Sequence, residues 1–461
     1  MTKPSRAIVD IRATVTLSLI YAFLVAYGRL YQYYLADILQ FHNNWLMYAG
    51  DRTWEYVFVE WTMPLAVLPI GHRLGRAGQY LVGLLVIFLF MPTPLLFVAL
   101  VSGPEFLRVY VLYWVSVFLM SAAANFALPI HAKSIVPRQF VRTYMVIFVL
   151  VLTVLLGLAV RDGVRLIDYK DAGIVRSESG LIPGAGYAIY AFVGALGGLG
   201  LTIAMWQRRW LMLLLVIGTF LFSYLVFPIR TALLAPLWWL YFLVGQKYFF
   251  HNSVLRLLIY LAVPFIVLCG IASVTSFDRA GVVYSLVSFI NYRLYTIPPA
   301  GFGVYWNFFR SHPHTWGSQI HIVSLFVHYP YAANLGAVME DAYHVGNYNT
   351  NFLASDGLAS GGVRVIPLTA VVFSGVLILV NTAYRKMSLL YTATTMAIPA
   401  LMLIDSSISI ALLTNGLGAL ILLSFFAPRG WIGGEFPKAK EIGLHSDSLN
   451  CGPASTNQTL S

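Results

Sequence analysis

Thr143–Val160 reads TYMVIFVLVLTVLLGLAV, an unbroken run without a charge, closed by Arg142 on one side and Arg161 on the other. A bilayer's hydrocarbon core needs about 20 apolar residues per helix, so this run is long enough to cross it. The same ruler fits repeatedly along the chain, near 13–33, 54–71, 79–101, 108–130, 143–160, 184–205, 211–227, 232–248, 256–275, 366–384, 388–404 and 408–427. The whole sequence of 461 residues is 59% hydrophobic and 10% charged, with a mean hydropathy of +0.76. A soluble domain carries about 25% charged residues, which excludes that class. The expected fold is an all-α polytopic integral membrane protein with about 12 transmembrane helices and a large late loop on the outer side. Asp405-Ser406-Ser407 could be a turn between the last two spans or a polar patch in one bent helix.

Charge placement gives the orientation. Lys3, Arg6 and Arg12, Arg73 and Arg76, Lys133, Arg138 and Arg142, Arg208 and Arg209, Lys247 and Arg256, Arg385 and Lys386, then Arg429, Lys438 and Lys440 fall in alternate connections. Before the tail these connections hold one acid, Asp10. The positive-inside rule makes them cytoplasmic and, for an even span count, puts both termini inside. Residues 1–430 are read as one transmembrane domain and 431–461, rich in Ser, Asn and Gly, as a disordered cytoplasmic tail. The net charge of +11 comes from scattered cations, with no continuous basic face for a nucleic-acid backbone. Cys269 and Cys451 sit in an apolar run and a polar tail, and no disulfide is expected between them. The basic N-terminus followed by an apolar run lacks a small-residue cleavage site, so it reads as a first span and not a removable signal.

The opposite connections, about 161–183 and about 276–365, mix both signs. Loops this long are uncommon unless functional or disordered, and the many aromatics of the second argue against disorder. Five of the chain's ten histidines lie there: His312, His314, His321, His328 and His344. Apolar residues at Val282, Val283, Leu286, Phe289, Ile290 and Leu294 follow a helical period, which predicts an amphipathic helix over 279–296 ended by Pro298-Pro299. Ala300–Pro313 reads as a second short helix, its aromatics forming an interfacial belt or, alternatively, a stacking wall for sugar rings.

Arginine suits anionic oxygens because its planar fork offers several donors at once. Arg230, in the turn Phe227-Pro228-Ile229-Arg230-Thr231, is either a snorkelling residue or part of a phosphate site. Arg293 and Arg279 are the other candidates. On a straight helix they stand roughly 20 Å apart, so Arg293 would join Arg230 or another span while Arg279 guards a rim. For proton transfer the chain offers His344, whose ordinary pKa of about 6.5 is close to working pH, with Asp341 to orient it, and Asp356. Histidine spacing does not suit zinc, no Walker-type phosphate loop is present, and no metal or other cofactor is expected. Gly194 and Gly198, spaced as GxxxG, predict close helix packing.

Taken together, Arg293-Leu294-Tyr295-Thr296-Ile297-Pro298, the aromatic run ending Phe308-Phe309-Arg310-Ser311-His312-Pro313, and Asn349-Thr350-Asn351-Phe352-Leu353-Ala354-Ser355-Asp356-Gly357 leading into a late span resemble bacterial O-antigen polymerases. These oligosaccharide repeat-unit polymerases belong to the multi-span glycosyltransferase class that includes O-antigen ligases. The resemblance touches most of the chain in topology and about seventy residues in motif; the paired Arg-x-Gly loops of some members have no clean copy here. It implies an inner-membrane enzyme whose active site faces the periplasm. Its substrates would be undecaprenyl-diphosphate-linked oligosaccharides, one as donor and one as acceptor. Arg230, Arg293 and Arg279 would neutralise the diphosphate, and His344, Asp341 or Asp356 would take the acceptor proton. A chain-length regulator protein is a possible partner; nucleic acid is not. The rival readings are an O-antigen ligase and a flippase or other secondary transporter. The latter requires ionisable groups deep in several spans, for which Arg29 is the foremost candidate.

Overall fold

The computed structural model describes residues 11–39, 53–130, 133–164, 183–274, 291–320, 323–343 and 350–428. Among these the protein is helical, with a single isolated bridge between Arg73 and Ser253. The helices are α1 Ile11–Leu39, α2 Trp54–Val67, α3 Ala77–Leu85, α4 Pro92–Phe97, α5 Gly103–Ala123, α6 Pro137–Asp162, α7 Pro183–Ala191, α8 Gly197–Trp206, α9 Trp210–Val226, α10 Arg230–Val244 and α11 Val254–Val274. They are followed by α12 Ile297–Phe309, α13 Leu335–Tyr343, α14 Ile366–Tyr384, α15 Leu389–Ile404 and α16 Leu417–Phe425. Wider π-type turns join several of them, at Val86–Phe90, Phe192–Leu196, Gly245–Phe250 and Ile410–Thr414.

Seven helical stretches among the described residues are long and apolar enough to cross a membrane: Ile11–Gln32, Ala77–Phe97, Gly103–Ala123, Pro137–Asp162, Gly184–Trp206, Val254–Ile271 and Val363–Tyr384. Ala77–Phe97 is the central one, 94% buried, whereas Pro137–Asp162 is 28% buried and turns Val146, Leu150 and Leu156 outward. An apolar helix that exposes large aliphatic side chains along its length is stable in lipid and not in water. The protein is therefore a membrane-embedded helical bundle. Asp405-Ser406-Ser407 forms a turn separating α15 from the Ile410–Thr414 segment.

Buried polar side chains knit the basic connections into one end. Leu74 N–H donates to Asn252 O and Val254 N–H to His72 O. Asn381 accepts from Gly78 N–H at 2.7 Å and donates to Ala124 O and Phe126 O. Leu128 N–H donates to Thr382 Oγ1, and Ile135 N–H to Phe426 O. Gln79 fills its donors and acceptor on Gly75, Arg76, Ile70, Arg73 and Asn125. The turns that carry Arg73, Arg76, Lys133, Lys247, Arg385 and Lys386 are thus gathered together, with no acid in their sequence. At the other end Gly103 N–H meets Glu55, Arg310 pairs with Glu105 at 3.4 Å, and Asn351 N–H reaches Ile404 O. That end carries both signs. Between the two, Arg29 on α1 pairs at 2.9 Å with Glu60 on α2, whose carboxylate is fully buried.

The 291–309 region departs from the sequence expectation. Tyr295 is not on an outer amphipathic helix; it lies in the middle of the bundle. Its carbonyl accepts from Tyr31, its hydroxyl donates to Leu261 O at 3.4 Å, and its ring stacks on Phe88 at 4.7 Å. Pro298 and Pro299 do not end a helix. They open α12, where the missing N–H of a first-turn proline leaves no carbonyl unserved. From there α12 climbs for about 20 Å to Arg310 at the mixed-charge end. Its aromatics make no interfacial belt either: Phe302 packs edge-on against Phe97 and Tyr113, each at 5.3 Å, and Phe302, Tyr305, Phe308 and Phe309 are buried. The belt reading fails because α12 is enclosed by α4 and the helices around it.

Gly194 makes close packing possible, since a Cβ there would come within 2.5 Å of Asn415 O. By contrast nothing lies within 4 Å of a Cβ at Gly157. Gly194→Leu is expected to destabilise the bundle by about 1–3 kcal/mol and Gly157→Leu to leave it unchanged, as read from thermal unfolding in detergent.

Candidate functional site

The mixed-charge end holds Asp356, a carboxylate with one oxygen that is buried and unpartnered. The local fold begins at Asn351, which is buried with φ 63°, a left-handed conformation that asparagine tolerates better than most residues. Its carbonyl accepts from Ala354 and Ser355 N–H at 2.8 and 2.9 Å, and its Oδ1 from Leu353 N–H at 3.2 Å. Those bonds start the π-type turn Leu353–Leu358 that carries Asp356. Gly357 lets this turn approach Ile366 at the start of α14, where a Cβ would already sit 3.4 Å from the Ile366 Cα.

Asp356 Oδ2 accepts a short 2.6 Å bond from Ile408 N–H. Oδ1 is shut from solvent and has no partner. Burial raises the carboxyl's pKa to about 7, against a smaller lowering by the Ile408 bond. One phenol, Tyr305, feels its charge, and a second, Tyr329, neighbours Tyr305. Tyr305 of α12 is pushed up first by burial, then by the Asp356 charge, then by Tyr329. Tyr329 is pushed up to about 12 by burial and by Tyr331, and its hydroxyl has no hydrogen-bond partner. A carboxyl that titrates near neutrality, with one oxygen fixed and the other free, can accept a proton from a hydroxyl placed against it.

The segment 313–320 lies across this turn. Thr315 N–H donates to Ala359 O at 2.8 Å, Trp316 N–H to Ser360 O at 3.0 Å, and Gln319 Nε2 to Ser355 O and Ser360 Oγ at 3.1 and 2.9 Å. The His314 ring stacks on Phe309, with its Nδ1 buried and unpartnered.

Arg230 opens α10 and is half-buried. Trp238 Nε1 donates to Ala397 O at 2.9 Å, and Tyr80 contacts both Gln246 and Leu389 O, so α10 and α15 run antiparallel. Continuing that register for two turns puts Arg230 level with Asp405, beside the turn whose Ile408 holds Asp356. Arg293 is part of the Asn291–Thr296 turn, two residues from Tyr295 in the middle of the bundle. Its side chain is outside the described residues. Arg279 and His344 also lie outside them, as do the 165–182 stretch and the tail. Asp341 is exposed on α13, which Tyr343 ties to Asn307 on α12 at 3.1 Å; no described contact joins Asp341 to Asp356.

Sequence reasoning did not single out Asn351, Tyr305 or Tyr329. Asn351 precedes an apolar helical start, which is the usual signal for a cap; the tyrosines had none, because their meaning comes from long-range contact. No group of His, Cys, Asp and Glu among the described residues could hold a metal ion. No family model, curated protein or solved structure matches the chain.

Burial raises the Asp356 pKa above its unfolded value, so the folded protein binds this proton more tightly. The resulting stabilisation is complete below about pH 4 and is lost as pH rises through about 7. Asp356→Asn is expected to remove that dependence, melting higher than the parent at pH 8 and close to it at pH 5 in thermal scans.

Proposed function

We propose that this chain is a polysaccharide polymerase, which joins lipid-diphosphate-linked oligosaccharide units at the outer face of a bacterial inner membrane. In this reading it crosses the membrane twelve times, its basic end and both termini in the cytoplasm and its mixed-charge end in the periplasm. The observation that carries the proposal is Asp356, a carboxyl with a pKa of about 7 and an unpartnered Oδ1, at the end where lipid-linked glycans are presented.

The chemistry needs little else. The acceptor hydroxyl oxygen attacks the donor's anomeric carbon while Asp356 takes its proton, and the bond to the diphosphate breaks with its electron pair leaving on phosphate. Diphosphate is already a good leaving group, so fixed positive charge matters more than a strong acid. Arg230 beside the 404–408 turn and Arg293 deeper in the bundle supply that charge, with Arg279 at the rim. Asp356 replaces His344 and Asp341 as first choice of base, because it alone of the three has a described buried environment. Holding both glycans in one cavity removes much of the entropic barrier. No metal or nucleotide enters the reaction. A flippase would instead use intramembrane ions; Glu60 and Arg29 are such a pair, about 9 Å inside the start of α2.

Disruption of the gene separates the readings by lipopolysaccharide gel. A polymerase loses the ladder and keeps a single-repeat band, a ligase loses all attached repeats while lipid-linked polymer persists, and a flippase strands units inside. For the site itself, Asp356→Asn and Arg230→Ala are expected to abolish laddering with protein level and insertion intact. In the parent, turnover is expected to fall about tenfold per pH unit below 7 as Asp356 becomes protonated. A wild-type ladder in Asp356→Asn would remove Asp356 from the reaction.

A further inference from the structure

Trp316 combines features that a core residue or a lipid-facing residue does not need together. It is 69% exposed, and its backbone is held at φ 52°, a conformation that costs a bulky side chain on the order of 1–3 kcal/mol. The conformation is fixed from every side. Thr315 and Trp316 N–H donate to Ala359 and Ser360 O, Ser318 N–H to Thr315 O, and Thr315 Oγ1 to Ala359 O at 3.0 Å. Gly317 follows at φ 81°, completing the turn. The indole stands edge-on to His314 at 6.3 Å and lies close to Gly361, where a Cβ would be 3.7 Å from its Cζ3. Strain that ordered structure maintains, and that ends in an exposed rigid ring, is a hallmark of ligand-facing positions.

Position narrows the ligand. Ser360, which anchors Trp316, is one helical turn from Asp356, about 6 Å along the axis. Gln319, in the same turn as Trp316, bonds to Ser355 beside the carboxyl. The ring is therefore displayed within a short oligosaccharide's length of the base. Its π face is electron-rich, and the C–H-bearing faces of a pyranose carry the complementary partial positive charge.

We infer that Trp316 is a stacking platform for a sugar ring of the acceptor glycan, holding the chain so that its terminal hydroxyl reaches Asp356. This rests on the polymerase reading for the identity of the substrate, but not for the presence of a glycan site. Leu325 and Phe326, 74% and 85% exposed in the same segment, provide the control, because they would serve an outer-leaflet anchor and not a sugar subsite.

The test uses the full chain in nanodiscs with lipid-diphosphate donor and a soluble, lipid-free oligosaccharide acceptor. Trp316→Ala is expected to raise acceptor KM about tenfold while donor KM, kcat and the acid limb near pH 7 stay as in the parent. Trp316→Phe recovers most of the loss. A Leu325→Ser, Phe326→Ser double variant leaves acceptor KM unchanged. Equal damage from that double variant would assign the segment to the bilayer, and an unaltered acceptor KM in Trp316→Ala would overturn the platform. Direct titration of the oligosaccharide, followed by calorimetry, separates the two levels. Saturable binding lost in Trp316→Ala without any turnover in the parent would keep the platform and reject the polymerase. Turnover with binding indifferent to Trp316 would do the reverse.

Discussion

Hydrocarbon offers no hydrogen bonds, so every polar group drawn into this bundle has to find its partner within the protein. That constraint explains where the few buried polar side chains stand. Gln79, Asn125 and Asn381 close the backbone at the basic end, where helices start and stop and their terminal groups lack partners. The Asn291–Thr296 turn survives in the middle because Tyr31 and Tyr295 complete it and aromatic rings shield it. At the mixed-charge end Asp356, Tyr329 and His314 each keep an unpartnered buried atom, and Asp356 is the one carboxylate among such atoms in the described residues.

The same constraint gives the carboxyl its character. One hydrogen bond from Ile408 is too little to offset burial, so Asp356 titrates near neutrality and not in the ordinary carboxylate range. Its position depends on two anchors at the top of α15: Ile404 O holds Asn351 N–H, and Ile408 N–H holds Asp356. Arg230 reaches that level because α10 and α15 are locked antiparallel through Trp238 and Ala397. Asp356 and Arg230 are thus both referred to one helix end.

Much of this was legible in the chain. Apolar run lengths gave the helices, and the paired arginines at their ends gave the grouping that Asn381 and the Arg73–Ser253 bridge bring about in space. Thr143–Val160 is the core of α6, and Asp405-Ser406-Ser407 is a turn. Periodicity gave the helix over 300–309 but not its surroundings, and residues 279–290 of the other predicted helix lie outside the described residues. Such a pattern registers that a helix has an apolar face, not what covers that face, and protein and lipid are equally apolar. Pro298-Pro299 fits a helix start as readily as a helix stop, and only Tyr295's distant partners decide between them. The site was legible in residue type, since Asp356 and Arg230 were both candidates, but not in rank. His344 has the favourable intrinsic pKa, whereas Asp356 acquires its own from burial in the fold, which no local pattern announces.

The 291–309 segment also bears on how the protein is made. It packs against Phe88, Phe97, Tyr113 and Tyr31, all of which precede it in synthesis. The helices that enclose it are therefore made before the segment that fills the space between them.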